Sequence, residues 1–190
     1  MHWREDFFGL YARALPVSGL MLPPRCCCVR LAPMGVEIER KFLVADDSWR
    51  AGVQSSQRVV QGYLATTDRA TVRARVKGER GYLTIKGMTK GITRSEYEYE
   101  IDADDAERII ASFAEGPVID KVRHLVPVGD HTWEVDVFAG ENEGLVMAEV
   151  ELADTAEDFQ LPGWAGLEVS DDPRYYNVNL AAHPFRSWAD

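Results

Sequence analysis

The side chains best suited to chemistry in this sequence are carboxylates and cations that recur at every second position. GVEIERKFLV carries Glu37, Glu39 and Lys41 in this spacing, and ATVRARVKG repeats it with Arg73 and Arg75. Carboxylate oxygens bind hard divalent cations such as Mg²⁺, whereas guanidinium and ammonium groups bind phosphate oxygens. Both sets together fit a complex of a metal ion with a polyphosphate better than they fit either partner alone.

Alternate positions place these side chains on one face of each strand, because the side-chain period of a β-strand is two. The opposite face of each segment is apolar, as in TWEVDVF and LVMAEVEL. The basic members of the charged faces are Lys41, Arg73, Arg75, Lys77, Lys86, Arg94, Lys121 and Arg123. The acidic members are Glu37, Glu39, Glu96, Glu98, Glu100, Glu134, Asp136, Glu149 and Glu151.

Glycines between these segments predict short connections and about eight largely antiparallel strands. The segments DADDAERIIASFAEG and DDPRYYNVNLAAHP predict helices, with aspartates at their starts and Gly116 or Pro184 near their ends. Shorter helical turns are expected at DDSWRAG and TAEDFQLP. The chain is therefore expected to form an α+β fold whose helices cover the apolar faces of the strands.

Two architectures place the charged faces differently. In an open antiparallel sheet these faces lie in water, which is a common arrangement. In an eight-stranded barrel they line a lumen that holds side chains or one small ligand. Neighbouring like charges destabilise a sheet, so the nearly unbroken charged rows favour a lumen that holds an anion and divalent metal. We therefore predict an antiparallel barrel with a charged interior and helices outside.

Composition narrows the function classes. The chain has 190 residues and a formal net charge of −10, which disfavours nucleic acid as a partner. No apolar run reaches the ~18 residues that a membrane-spanning helix needs. The three cysteines are Cys26, Cys27 and Cys28, so they provide no disulfide framework, and we expect a cytoplasmic protein.

The first 33 residues differ from the rest, because they contain the cysteine triplet and four prolines but no alternating strand pattern. We expect residues 1–33 to be a poorly ordered extension and residues 34–190 to form the domain.

EIERK resembles the E-x-E-x-K signature of the CYTH domain, the family of triphosphate tunnel metalloenzymes. Similar agreement runs through VRAR, YLTIKG, TRSEYEY, KVRH, WEVDVF, GLVMAEVEL and PGWAGLEVS. The resemblance covers about residues 35 to 185 and is greatest to the short, single-domain bacterial inorganic triphosphatases. It implies an eight-stranded antiparallel tunnel that hydrolyses inorganic triphosphate to pyrophosphate and phosphate with Mg²⁺ or Mn²⁺, two ions per site.

The resemblance also assigns roles to residues. Glu37, Glu39 and Glu149 would hold one metal, and Asp136 and Glu151, with Glu96 or Glu98, a second. The phosphate-binding cations would be Lys41, Arg73, Arg75, Lys86, Arg94, Lys121 and Arg123. The catalytic set would be Lys41, Lys121, Arg123 and Asp136.

Alternatives remain on the same fold. A thiamine triphosphatase or an adenylate cyclase would use an organic triphosphate, and a non-catalytic module would only bind polyphosphate or nucleotide. The expected partner is a small-molecule triphosphate, and the protein is expected to be a monomer or a homodimer.

Overall fold

A computed structural model describes residues 35–88 and 93–188 as one antiparallel sheet with few helices. The strands are β1 (Gly35–Val44), β2 (Ser55–Thr66), β3 (Ala70–Lys77), β4 (Arg80–Gly87), β5 (Thr93–Ile101), β6 (Ile119–Val128), β7 (His131–Phe138), β8 (Val146–Glu151) and β9 (Ala165–Glu168). The α-helices are α1 (Ala103–Phe113) and α2 (Asn177–Ala182). Short 3₁₀ helices span Asp47–Gly52, Gly140–Asn142, Pro173–Tyr175 and Phe185–Ser187. The expected extension, residues 1–33, lies outside the described residues.

The strands are arranged around a common interior. Their order is β5-β4-β3-β2-β6-β7-β8-β1-β9, and β5 pairs in addition with β1. This additional ladder is short, with Gly35 opposite Glu96 and Ile38 opposite Thr93 at its ends. The antiparallel tunnel fold with external helices that the sequence predicts is thereby confirmed. The ninth strand, β9, was not predicted, because four residues contain too few alternations to reveal a strand.

Two tight turns connect the longest hairpins. Gly78 lies between β3 and β4 with φ of 59°, and Gly129 lies between β6 and β7 with φ of 60°. Glycine is favoured at positive φ because it has no Cβ atom. These turns set the register that brings Arg75 opposite Tyr82 and Arg123 opposite Asp136.

An apolar core lies outside the ring of strands. Trp133 is fully buried, and its ring centroid lies 5.3 Å from both the Phe42 and the Trp164 rings. Trp49, from the 3₁₀ helix Asp47–Gly52, belongs to the same cluster. The segment TAEDFQLP was predicted as a helical turn, and that prediction is wrong: it has no helix, although Phe159 packs against this core. The apolar faces of β1, β6, β7 and β8 are therefore covered on the outside.

Helix α1 covers β2, β3 and β4 from the outside at very close range. A Cβ atom at Gly81 would lie 2.6 Å from the carbonyl oxygen of Asp102, and one at Gly62 would lie 2.8 Å from the Cβ of Ala114. A larger residue at either position would therefore push the helix away. Asp102 caps α1 by accepting a hydrogen bond from the backbone N–H of Asp104, as the sequence predicts for the helix start.

The interior becomes apolar toward one end. Met147 and Phe138 continue the inward rows of β8 and β7, and they pack with Tyr175 and Leu180 of the C-terminal segment. The helix predicted over this segment is divided, because the backbone of Tyr176 is extended between the 3₁₀ helix and α2. None of the helices in the described part of the chain is long and apolar enough to cross a membrane.

Candidate active site

The strand register brings the predicted charged residues into one interior. Lys41 on β1 lies opposite Glu149 on β8, and Arg123 on β6 lies opposite Asp136 on β7. On the other side, Lys86 on β4 lies opposite Glu96 on β5. The alternation seen in each strand therefore continues around the ring, and side chains from distant parts of the sequence face one another.

On β1, β6, β7 and β8 the cations are paired with buried carboxylates. The Lys41 ammonium lies 2.7 Å from Glu149 Oε1 and 2.8 Å from Glu39 Oε1. Arg123 donates two parallel hydrogen bonds to Asp136, of 2.7 and 2.6 Å, and a third of 2.7 Å to Glu149. We call this group the paired wall; its members are Glu39, Lys41, Lys121, Arg123, Asp136 and Glu149.

The deepest ion pair of the paired wall joins Lys121 to Asp136. Lys121 is 2% exposed and Asp136 is 0% exposed, and the ammonium contacts the carboxylate directly. Burial lowers the pKa of Lys121, and the nearby cation of Arg123 adds to this effect. Burial would raise the pKa of Asp136, but the charges of Arg123 and Lys121 outweigh it, so the pKa lies below its usual value.

Glu149 and Lys41 show the same balance. Burial acts against the charged form of each, yet the Lys41 and Arg123 cations hold the pKa of Glu149 well below its usual range. In return, the carboxylates of Glu149 and Glu39 outweigh burial and raise the pKa of Lys41. Lys41 and Glu149 therefore stabilise each other's charged forms.

The facing strands form a second group, which we call the guanidinium wall; its members are Gln61, Arg73, Arg75, Thr84, Lys86, Glu96 and Glu98. Arg75 Nη2 lies 2.5 Å from Glu98 Oε2, and the Lys86 ammonium lies 2.9 Å from Glu96 Oε2. Arg73 is different. Its guanidinium lies 3.6 Å from a Glu98 oxygen and 3.8 Å from a Glu96 oxygen, beyond hydrogen-bonding distance.

Two guanidinium groups of this wall keep unused donors. Within the described residues, the buried Nε atoms of Arg73 and Arg75 have no hydrogen-bond partner. Burial and the neighbouring cation of Arg75 lower the pKa of Arg73 to about 10. Arg73 therefore remains charged at neutral pH although its charge is incompletely compensated, which is an arrangement suited to an anionic ligand.

The remaining predicted residues fall into two groups. Some lie nearer the solvent-exposed end of the interior, and the side chains of the others are outside the described part of the structure. The side chain of Glu134 is 33% exposed and contacts Arg123, and Glu100 lies 3.7 Å from Arg80 at the rim. Glu151 ends β8 opposite Glu39. The backbones of Glu37 and Arg94 are register partners in β1 and β5, but their side chains lie outside the described part of the structure.

Three uncharged polar residues of the interior were missed by the sequence analysis: Gln61, Tyr63 and Thr84. Gln61 is 1% exposed and Thr84 is 0% exposed, and both accept hydrogen bonds from Arg73. Their position was visible in the alternation, since Thr84 is two residues from Lys86 and Gln61 belongs to the strand QRVVQGYLA. Because these three side chains carry no charge, the pattern of charged residues did not identify them.

The oxygen donors of the interior fit a hard divalent cation in their chemistry. The carboxylates of Glu39 and Glu149 converge on one ammonium group, and carboxylate oxygens are ligands that Mg²⁺ and Mn²⁺ prefer. Within residues 35–88 and 93–188, however, no three His, Cys, Asp or Glu side chains form a group arranged to hold a metal ion. These carboxylates are paired with lysine and arginine side chains, so metal binding would require some of these ion pairs to rearrange.

Comparison with known proteins identifies the family. The model of the CYTH domain matches residues 35–176. The chain is 45% identical over 157 residues to an inorganic triphosphatase of Acetivibrio thermocellus, covering 83% of this chain and 100% of that protein. It is 40% identical over 149 residues to an inorganic triphosphatase of Nitrosomonas europaea, covering 76% of this chain and 96% of that protein.

The structural comparison agrees with the sequence comparison. A crystal structure of an inorganic triphosphatase superimposes with a TM-score of 0.59 at 38% identity, covering 78% of this chain and 95% of that chain. Residues 35–176, which the family model matches, contain both the paired wall and the guanidinium wall. The family model covers all nine strands of the described structure, and this chain belongs to the CYTH domain family.

Proposed function

We propose that this protein is a metal-dependent inorganic triphosphatase, which hydrolyses tripolyphosphate to pyrophosphate and phosphate inside its charged interior. The observation that carries the proposal is the buried Arg73, a cation whose hydrogen bonds go to neutral oxygens and whose Nε atom lacks a partner among the described residues. Two relatives that are at least 40% identical over most of their length are inorganic triphosphatases.

The cations of both walls would bind the phosphate chain. Arg73, Arg75 and Lys86 come from β3 and β4, whereas Lys41, Lys121 and Arg123 come from β1 and β6. A triphosphate between them is contacted from two sides, and Arg94 is proposed as a further contact. Phosphoryl transfer depends mainly on positioning and on neutralising charge, so an array of fixed cations supplies much of the required catalysis.

The carboxylates would hold divalent metal, for which we propose Mg²⁺ or Mn²⁺. Glu37, Glu39 and Glu149 form one proposed ligand set, and Asp136, Glu151 and Glu96 or Glu98 form the other. When bound, such ions neutralise phosphate charge and lower the pKa of a coordinated water. Lys41, Lys121 and Arg123 contact carboxylates of these sets, which supports a role for these cations in binding phosphate oxygens near the metal.

The proposed partner is a small-molecule triphosphate, bound by a monomer or homodimer in the cytoplasm. The interior presents charged and hydrogen-bonding groups to a ligand, which suits inorganic phosphate oxygens. ATP and thiamine triphosphate are included as alternative substrates in the following assay.

A phosphate-release assay tests the proposal. Tripolyphosphate, pyrophosphate, ATP and thiamine triphosphate are compared with Mg²⁺, with Mn²⁺ and with a chelator, and Arg73→Met serves as the control for contaminating phosphatases. We expect the greatest turnover with tripolyphosphate plus metal, with one pyrophosphate formed per phosphate. Faster turnover of thiamine triphosphate, or cyclisation of ATP, would replace the proposal with an organic substrate. Binding without turnover of any compound would make the protein a non-catalytic module.

A further inference from the structure

Arg73 is held by neutral groups, in contrast to the cations of the paired wall. Its Nη1 donates to Gln61 Oε1 at 3.3 Å, and its Nη2 donates to Thr84 Oγ1 at 3.2 Å. Lys41 and Arg123 instead donate to carboxylates at 2.7 Å. Neutral acceptors fix the plane of a guanidinium group without cancelling its charge. With carboxylates only at 3.6 and 3.8 Å, the positive charge of Arg73 is therefore partly compensated and remains able to attract an anionic ligand.

The Gln61 side chain is itself oriented from the apolar end of the interior. Its Nε2 donates to the Tyr63 hydroxyl at 3.3 Å, which turns its Oε1 toward Arg73. Gln61 is 1% exposed, so water does not compete for either contact. A glutamate at this position would occupy nearly the same volume, but it would form a direct ion pair with Arg73.

Thr84 separates Arg73 from the nearest carboxylate. Its hydroxyl accepts from Arg73 and donates to Glu98 Oε2 at 2.8 Å. The same Glu98 oxygen lies 2.5 Å from Arg75, whereas Arg73 remains 3.6 Å away. The Thr84 hydroxyl therefore links Arg73 to Glu98, and Glu98 pairs more closely with Arg75 than with Arg73.

We propose that Gln61 and Thr84 are positioning residues, which hold the Arg73 guanidinium for a phosphoryl group of the substrate while leaving its charge only partly compensated. The inference rests on the proposed function and extends it to residues outside the proposed metal-ligand sets. It explains why two uncharged side chains lie fully buried among the charged rows of β2 and β4.

The test compares Gln61→Glu with Gln54→Glu. Both changes add one negative charge, but Gln54 is exposed and lies before β2, outside both walls. We expect Gln61→Glu to raise the KM for tripolyphosphate at least about tenfold, because its carboxylate pairs with Arg73, and Gln54→Glu to change KM less than about twofold. The affinity for tripolyphosphate without metal, measured by calorimetry, should fall in Gln61→Glu and stay close to the parent value in the control variant.

Thr84 provides the second measurement. Thr84→Val keeps the shape but removes the hydroxyl, and should raise KM, whereas Thr84→Ser keeps the hydroxyl and should restore it to near the parent value. General damage to folding would instead lower kcat by reducing the active fraction, with KM unchanged.

The possible failures are distinguishable. A parent protein that neither binds nor hydrolyses tripolyphosphate would overturn the proposed function. A parent that hydrolyses it, with parent-like KM in Gln61→Glu and Thr84→Val, would overturn only the positioning role. Should Gln61→Glu not fold, the Thr84→Val and Thr84→Ser pair decides the question alone.

Discussion

On the paired wall, Lys41, Lys121 and Arg123 each contact a buried carboxylate, whereas on the guanidinium wall Arg73 contacts the neutral oxygens of Gln61 and Thr84. The two walls face the same interior and carry the same kinds of cation. Removing one partner of a buried ion pair leaves the other charge buried and uncompensated, which is destabilising. Removing a buried cation that is only partly compensated takes an unfavourable charge out of the interior. The paired wall should therefore matter for stability as well as activity, and the guanidinium wall mainly for binding an anion.

The largest effect is expected on breaking the paired wall with Asp136→Asn. This change leaves the Lys121 ammonium, 2% exposed, without the carboxylate it contacts. The free energy of unfolding should fall by about 3–5 kcal/mol, measured by urea denaturation at pH 7. Glu134→Gln is the matched control, two residues along the same strand and 33% exposed. Equal losses in the two variants would show that burial of the pair has no special weight.

A change on the guanidinium wall should separate activity from stability. Arg73→Met keeps an unbranched side chain but removes the charge, so kcat/KM for tripolyphosphate should fall at least about tenfold. Its free energy of unfolding should fall less than that of Asp136→Asn, because the Arg73 charge is only partly compensated. Arg80→Met, at the exposed rim of β4, is the control. Parent-like kinetics in Arg73→Met would argue against phosphate binding by this wall.

Metal affinity offers a third comparison, between the two faces of one strand. Glu39→Gln removes a negative charge from the interior, whereas Arg40→Gln changes the opposite face, where Arg40 pairs with Glu168. Calorimetric titration of Mn²⁺ should show about tenfold weaker binding in Glu39→Gln, since a neutral amide is a poorer ligand than a carboxylate. Arg40→Gln should bind as the parent does. Unchanged affinity in Glu39→Gln would remove Glu39 from the metal site.

The smallest expected effect is on how the stability of the protein depends on pH under acidic conditions. The pKa values of Glu149 and Asp136 lie below their ordinary 4.5 and 3.8, because Lys41, Lys121 and Arg123 favour the carboxylates. As pH falls, these two carboxylates are protonated in the unfolded chain before they are protonated in the folded protein. Their contribution to stability is therefore complete above the unfolded-state pKa values and is lost as the pH falls through the lower pKa values of the folded protein. The urea midpoint of the parent should therefore fall more steeply than that of Glu149→Gln between about pH 5 and pH 2. Parallel curves would contradict the ion pairing of Glu149.

Much of the site was predictable because a strand repeats every two residues. The alternation assigns Arg73, Arg75, Lys121 and Arg123 to one face without any knowledge of neighbouring strands. The same argument failed where the pattern is short or the chemistry uncharged. β9 has only four residues, the helical turn expected in TAEDFQLP is absent, and Gln61 and Thr84 carry no charge to mark them.

The sequence by itself determined which side chains face inward, since that depends on local backbone geometry alone. Only the tertiary structure decided which charges meet. Lys41 and Glu149 are 108 residues apart, and their contact follows from the pairing of β1 with β8. The same holds for Arg73, whose neutral partners come from β2 and β4. Local periodicity sets the face of each strand, but the order and register of strands set the ion pairs, because a charge responds to neighbours in space rather than in sequence.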